Sequence, residues 1–142
     1  MRFLISLFLF FVSANFFSQV GLNSFELHTK TYSYKEINGN PQVFSITQDP
    51  MGVMYFANQL GVIEFDGNNW RTISLFPETH ITSLACSLDG VVFVGGVNEF
   101  GYLSKTDSGK VHIVSLKSKL KADLDFKNIV NVKINDDNHV FF

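Results

Sequence analysis

The residues of this 142-residue chain best suited to chemistry are four histidines, one cysteine and a series of aspartates followed closely by glycine. His28, His80, His112 and His139 stand dozens of residues apart, with no Cys, Asp or Glu at metal-ligand spacing beside them, so no metal site is expected. Cys86 lies inside the apolar run Ile81–Cys86, where a thiol packs as a small hydrophobe rather than acting as a nucleophile. A single Cys allows no internal disulfide. Asp49, Asp66, Asp89 and Asp137 all fall in turn sequences, where Asp caps backbone amides. That role accounts for them without paired-carboxylate catalysis. Gly95-Gly96 lacks the spacing and the Lys of a phosphate-binding loop. No cofactor is implied, and no enzymatic function.

The elements that hold these residues repeat. Val43–Thr47, the turn Asp49-Pro50-Met51-Gly52, Val53–Ala57, the break Asn58-Gln59, Gly61–Phe65 and the turn Asp66-Gly67 form one unit. The pattern restarts 38 residues on: Ile81–Cys86, Leu88-Asp89-Gly90, Val91–Val94, Gly95-Gly96, Gly101-Tyr102-Leu103. It restarts again as Asn131–Ile134, Asp137-Asn138 and Val140-Phe141-Phe142. Asn138 stands where Gly52 and Gly90 stood, and Asn is the residue after Gly that best tolerates positive φ. Strand–turn–strand units at about 40–45 residues per repeat are the mark of a β-propeller with four strands per blade. The expected fold class is all-β, an incomplete propeller of two blades and the opening hairpin of a third.

Arg2, the apolar run Phe3–Val12 and the small residues Ser13, Ala14 and Ser18 have the layout of a secretory signal peptide over residues 1–18. The run is short for a membrane span and is broken by Asn15. Net charge is −2, and about −3 once Arg2 is removed with that segment, which gives no general attraction to nucleic acid.

Residues 19–42 follow as a polar segment in which Tyr32–Ile37 could be a blade-closing strand. Blade one, residues 43–80, has strands Val43–Gln48, Val53–Ala57, Gly61–Phe65 and Trp70–Leu75. Blade two, residues 81–128, carries two extra residues in its second loop, Val97–Gly101. An insert, Ser115–Lys127, holds Leu116, Leu120 and Leu124 at helical spacing and reads as a short amphipathic helix. Residues 129–142 begin the third blade.

Phe44–Gly52, Leu60–Gly67 and Trp70 resemble the two-component regulator propeller repeat, with its Gln-Asp-x-x-Gly turn and Gly-Leu-x-x-(Phe/Tyr)-Asp-Gly strand. Asn98–Leu103, Ser108-Gly109 and the insert resemble the second blade of one branch of these sensors. Departures are Tyr55-Phe56 for the usual Trp-(Ile/Phe), Ala57-Asn58 for Gly-Thr, and the missing Gln-Asp pair in blade two. The resemblance covers about residues 40–142. It implies an exported, inner-membrane-anchored sensor whose periplasmic propeller is followed by a triple-tyrosine domain, a transmembrane helix and a kinase or DNA-binding output. On this reading the chain is the N-terminal part of such a protein, and without its other blades it would not be a stable monomer.

In a propeller the tight Asp-Gly hairpins share one end, while second loops and blade crossings share the other. Loops on a rigid scaffold concentrate binding residues. The expected contacts for a small-molecule or oligosaccharide ligand are therefore Asn58, Gln59, His80, Asn98 and Glu99. Gly52, Asp66, Gly67, Asp89, Gly90 and Asn138 are expected to be structural turn residues. An adhesion or scaffold propeller is the alternative, and an enzyme or cofactor-binding propeller a more distant one.

Overall fold

The computed structural model describes residues 29–37, 39–74, 79–121 and 126–142. The signal segment, Phe25–His28, part of the Phe76–His80 crossing and the Leu124 end of the insert lie outside them. The chain divides into two units, Met1–Thr31 and Tyr32–Phe142, and the second contains every described strand.

Sheet 1 is an antiparallel meander of β1 (Val43–Gln48), β2 (Met54–Asn58), β3 (Gly61–Phe65) and β4 (Trp70–Ile73). Sheet 2 repeats it with β5 (Ile81–Cys86), β6 (Val92–Gly96), β7 (Glu99–Lys105) and β8 (Val111–Ser115). A hairpin of β9 (Lys133–Ile134) and β10 (Val140–Phe141) follows. The architecture is all-β, and each four-stranded sheet has the form of a propeller blade.

Side chains alternate across each sheet. Tyr55, Ala57, Val62 and Ile73 of sheet 1 meet Ile81, Leu84, Val92 and Val94 of sheet 2 in one buried core. The opposite face of sheet 1 is aromatic: Phe65 stacks on Trp70 with centroids 4.2 Å apart, and Tyr32 meets both edge-on. The opposite face of sheet 2 receives the third unit, with Phe142 against Phe93 and Phe100. Gly95 is required there, because a Cβ would run into Ile129.

The first turn of each unit has one geometry. In the order of the three units, the N–H of Asp49, Ser87 or Asn135 bonds the carbonyl four residues on. The N–H of Gly52, Gly90 or Asn138 returns to the carbonyl of that same residue. These last three have φ of 89°, 83° and 62°, so Asn138 does stand in for glycine. The leading side chain accepts the N–H of Val53, Val91 or His139 at 2.9, 3.0 and 2.8 Å.

The cap is thus Asp49 in the first unit but Ser87 and Asn135 in the others, not Asp89 and Asp137. The structure gives Asp89 a different contact: its Oδ2 accepts from Asn138 Nδ2. Asp66 does cap its turn, accepting the N–H groups of Asn68 and Asn69 at 2.9 and 2.7 Å. Those amides hold its carboxyl below the usual carboxylate range. Gly67 follows it at φ 96°.

Adjacent units are joined by one repeated hydrogen bond. Leu84 N–H donates to Ser45 Oγ at 3.2 Å, and Val132 N–H donates to Ser83 Oγ at 2.8 Å. Ser45 and Ser83 are 38 residues apart and occupy the same place in β1 and β5.

Three expectations need correction. Tyr34–Ile37 is a turn, not a strand, because Ser33-Tyr34-Lys35-Glu36 forms a reciprocal cap. Glu36 Oε2 accepts Ser33 N–H at 2.7 Å while Glu36 N–H donates to Ser33 Oγ at 3.3 Å. The two extra residues of sheet 2 are not in its second loop. The pairs Asn58↔Gly61 and Gly96↔Glu99 each enclose two residues, and the 38-residue offset persists to Gly61 and Glu99. The extra length lies farther on: β7 continues to Lys105, and its turn to β8 has five residues where β3–β4 has four. In the insert, the described helical element is a 3-10 turn, Lys117–Lys119.

Candidate functional site

The second loops and the crossing do share an end of the sheets, since Val97 N–H donates to the His80 carbonyl at 3.0 Å. His80 and Asn98 line one hollow of about 290 Å³ together with Thr79 and Val97. Both side chains are exposed. Asn98 is held at φ 53° by the two-residue β6–β7 turn, a position that favours Asn or Gly. Its Oδ1 accepts Lys117 Nζ at 2.7 Å, and that ammonium also lies 5.8 Å from the Phe126 ring centroid.

Glu99 opens β7 and turns toward β8, where its Oε1 accepts Ser115 Oγ at 2.6 Å and Phe100 N–H at 2.9 Å. Lys117 N–H donates to the same Ser115 Oγ at 3.2 Å. The 3-10 turn is tied in this way to the β6–β7 turn, which brings the Lys117 ammonium onto Asn98, one of the residues lining the hollow. No sequence motif marks Lys117 or Phe126, since their meeting depends on how the chain folds back on the β6–β7 turn.

Asn58 and Gln59 belong to a different environment. Asn58 is fully buried, and its amide is fully used within the fold. Nδ2 donates to the Asn40 and Gln42 carbonyls at 2.8 and 2.7 Å, and Oδ1 accepts the N–H groups of Asn40 and Leu60, both at 3.2 Å. Gln59 accepts Asn40 Nδ2 at 2.9 Å and donates to Gln42 Oε1 at 3.2 Å. The pair clamps residues 40–42 to the end of sheet 1. Of the five expected contacts, His80 and Asn98 come together, Glu99 bonds Ser115 on β8, and Asn58 and Gln59 hold residues 40–42 to sheet 1.

Ionisable groups elsewhere have structural settings. Glu64 is buried on the face toward sheet 2; its Oε1 pairs with Arg71 at 2.7 Å across β3–β4, while Oε2 has no partner among the described residues. Tyr55, directly opposite Glu64 on β2, donates to Asp49 Oδ2 at 3.3 Å. Burial, followed by the Glu64 and Asp49 charges, pushes its phenol well above the ordinary tyrosine range. Cys86 is half-buried, and burial raises its thiol, with Asp49 adding to the effect. That environment leaves little thiolate for nucleophilic chemistry. Among the described residues no group of three His, Cys, Asp or Glu side chains could hold a metal ion.

No family model, curated protein or solved structure matches the chain.

Proposed function

We propose that the two sheets and the hairpin are consecutive blades of a β-propeller, and that this propeller is a non-catalytic ligand-binding module of an exported sensor. The observation that carries the blade reading is the repeated step from unit to unit. The same turn recurs three times, and the same Ser Oγ-to-backbone link recurs twice, at equivalent positions. Units related by one repeated step are what a propeller arranges around its axis. The sensor role rests on the resemblance of Phe44–Gly52 and Leu60–Gly67 to the two-component regulator repeat. Output through a transmembrane helix to a kinase or DNA-binding domain belongs to that same reading.

The ligand is a small polar molecule or an oligosaccharide, bound at the crossing end against His80 and Asn98. An imidazole and a primary amide supply hydrogen-bonding groups side by side on a rigid scaffold, the kind of convergent polar groups that fix a polar ligand. Binding of the full chain to panels of oligosaccharides and small polar metabolites tests this, using His80→Ala and Asn98→Gly. The glycine removes the amide while keeping the positive-φ turn. A ligand whose affinity falls in both variants supports the proposal. A ligand indifferent to both, or no ligand from either panel, contradicts it.

A further inference from the structure

A second cavity, of about 280 Å³, opens at the other end of the sheets, between the first turns of units one and two and the end of β7. Its walls differ in chemistry. Asp49 and Asp89 stand on the turn side, Ser104 and Lys105 on the β7 side, and Val92, Leu103 and Val111 are apolar lining between them. Met51 and Leu88, 80% and 84% exposed, contribute further apolar surface. Asp49 Oδ1 is committed to two backbone amides, whereas its Oδ2 has one described partner, the long bond from Tyr55.

We propose that this cavity is a binding site for a small zwitterion with an apolar body, such as an α-amino acid with a hydrocarbon side chain. The ammonium group faces the Asp49 and Asp89 carboxylates, the carboxylate faces Lys105, and the side chain covers Val92, Leu103 and Val111. Each charged end meets the opposite charge, so neither is desolvated without compensation. The volume lies just under the range of drug-sized sites, which suits a molecule of amino-acid size. Two carboxylates beside a single ammonium disfavour a phosphate or other simple anion. The one aromatic in the lining, Tyr55, is only 6% exposed and offers no open ring face for a sugar. This site is separate from the His80–Asn98 hollow and does not depend on the function proposed for it.

Calorimetric titration of the folded full chain with leucine, leucinamide and N-acetylleucine tests the assignment, with Lys105→Met as the main variant and Asn98→Gly as the control. Lys105 is exposed at a strand end, so its loss leaves the core untouched. Leucine is expected to bind, and each blocked analogue to bind about tenfold more weakly, the scale of one charge-assisted hydrogen bond. Lys105→Met should weaken leucine by a similar factor but leave leucinamide unchanged, since the amide has already lost the charge that Lys105 meets. Asn98→Gly should change nothing. Absence of leucine binding at millimolar concentration, equal binding of leucine and leucinamide, or equal loss of both in Lys105→Met would each overturn the proposal.

Discussion

At the residue scale, a polar side chain at the end of a sheet can face outward to a ligand or inward to the chain, and Asn58 is the inward case. All four hydrogen-bonding positions of its amide are filled, and it is fully buried. Asn58→Ala should destabilise the folded unit by about 2–3 kcal/mol, because it removes the four hydrogen bonds of a fully buried side chain, three of them to Asn40 and Gln42; denaturant unfolding measures the loss. An unchanged midpoint would mean the clamp is not formed. Tyr55 gives a prediction in pH. Its folded-state pKa is raised above the ordinary value of 10.0, so its contribution to stability is complete below about pH 10. That contribution is lost as pH rises beyond it, because the unfolded chain then releases the phenolic proton first. Tyrosinate absorbance followed against pH should show one tyrosine ionising late and together with unfolding. Tyr55→Phe should remove that coupling. Early, reversible ionisation of all the tyrosines would contradict the buried placement.

At the scale of elements, each joint between units includes one equivalent serine hydroxyl. Ser83 is buried and its acceptor bond is short, whereas Ser45 is half-exposed with a longer one. Ser83→Ala should therefore cost about 1–3 kcal/mol by leaving the Val132 N–H unsatisfied, and Ser45→Ala less, since water can reach its partner. Thermal unfolding of the two variants checks the order, and equal effects would argue against the joint. The strands themselves were legible: β1, β3 and β5 have the expected limits, since apolar runs between Asp-Gly or Asn-Gln breaks leave little freedom. The position of the extra residues was not. Gly61 and Gly101 look equivalent in sequence, and a Cβ at either would strike a carbonyl, of Ile73 or Val114; yet Gly61 opens β3 at φ 123°, while Gly101 lies inside β7 without positive φ. One letter answers two different demands, and only strand pairing separates them. The caps Ser87 and Asn135 were hidden for a similar reason, because an aspartate beside each was the more conspicuous turn residue. For the candidate site, the shared end of His80 and Asn98 followed from strand alternation. The partners of Asn58, 16 to 18 residues away in the chain, could not be read from local sequence.

At the scale of the molecule, one sheet-to-sheet step applied twice should leave corresponding faces chemically alike but differently covered. Leu84, buried at 6%, is the register equivalent of Ile46, which is 56% exposed on the outer face of sheet 1. Phe44 shares that exposure, so the aromatic face of sheet 1 has the composition of a covered surface with part of its area open. The central claim is that units one, two and three are related by the same rotation and translation. Pairwise electron-spin distance measurement tests it most directly, with labels at the equivalent turn positions Met51, Asp89 and Asp137 in a Cys86→Ser background. The account predicts one distance for the 51–89 and 89–137 pairs and a longer distance for 51–137. Clearly different distances for the two adjacent pairs, or a 51–137 distance no longer than either, would contradict it.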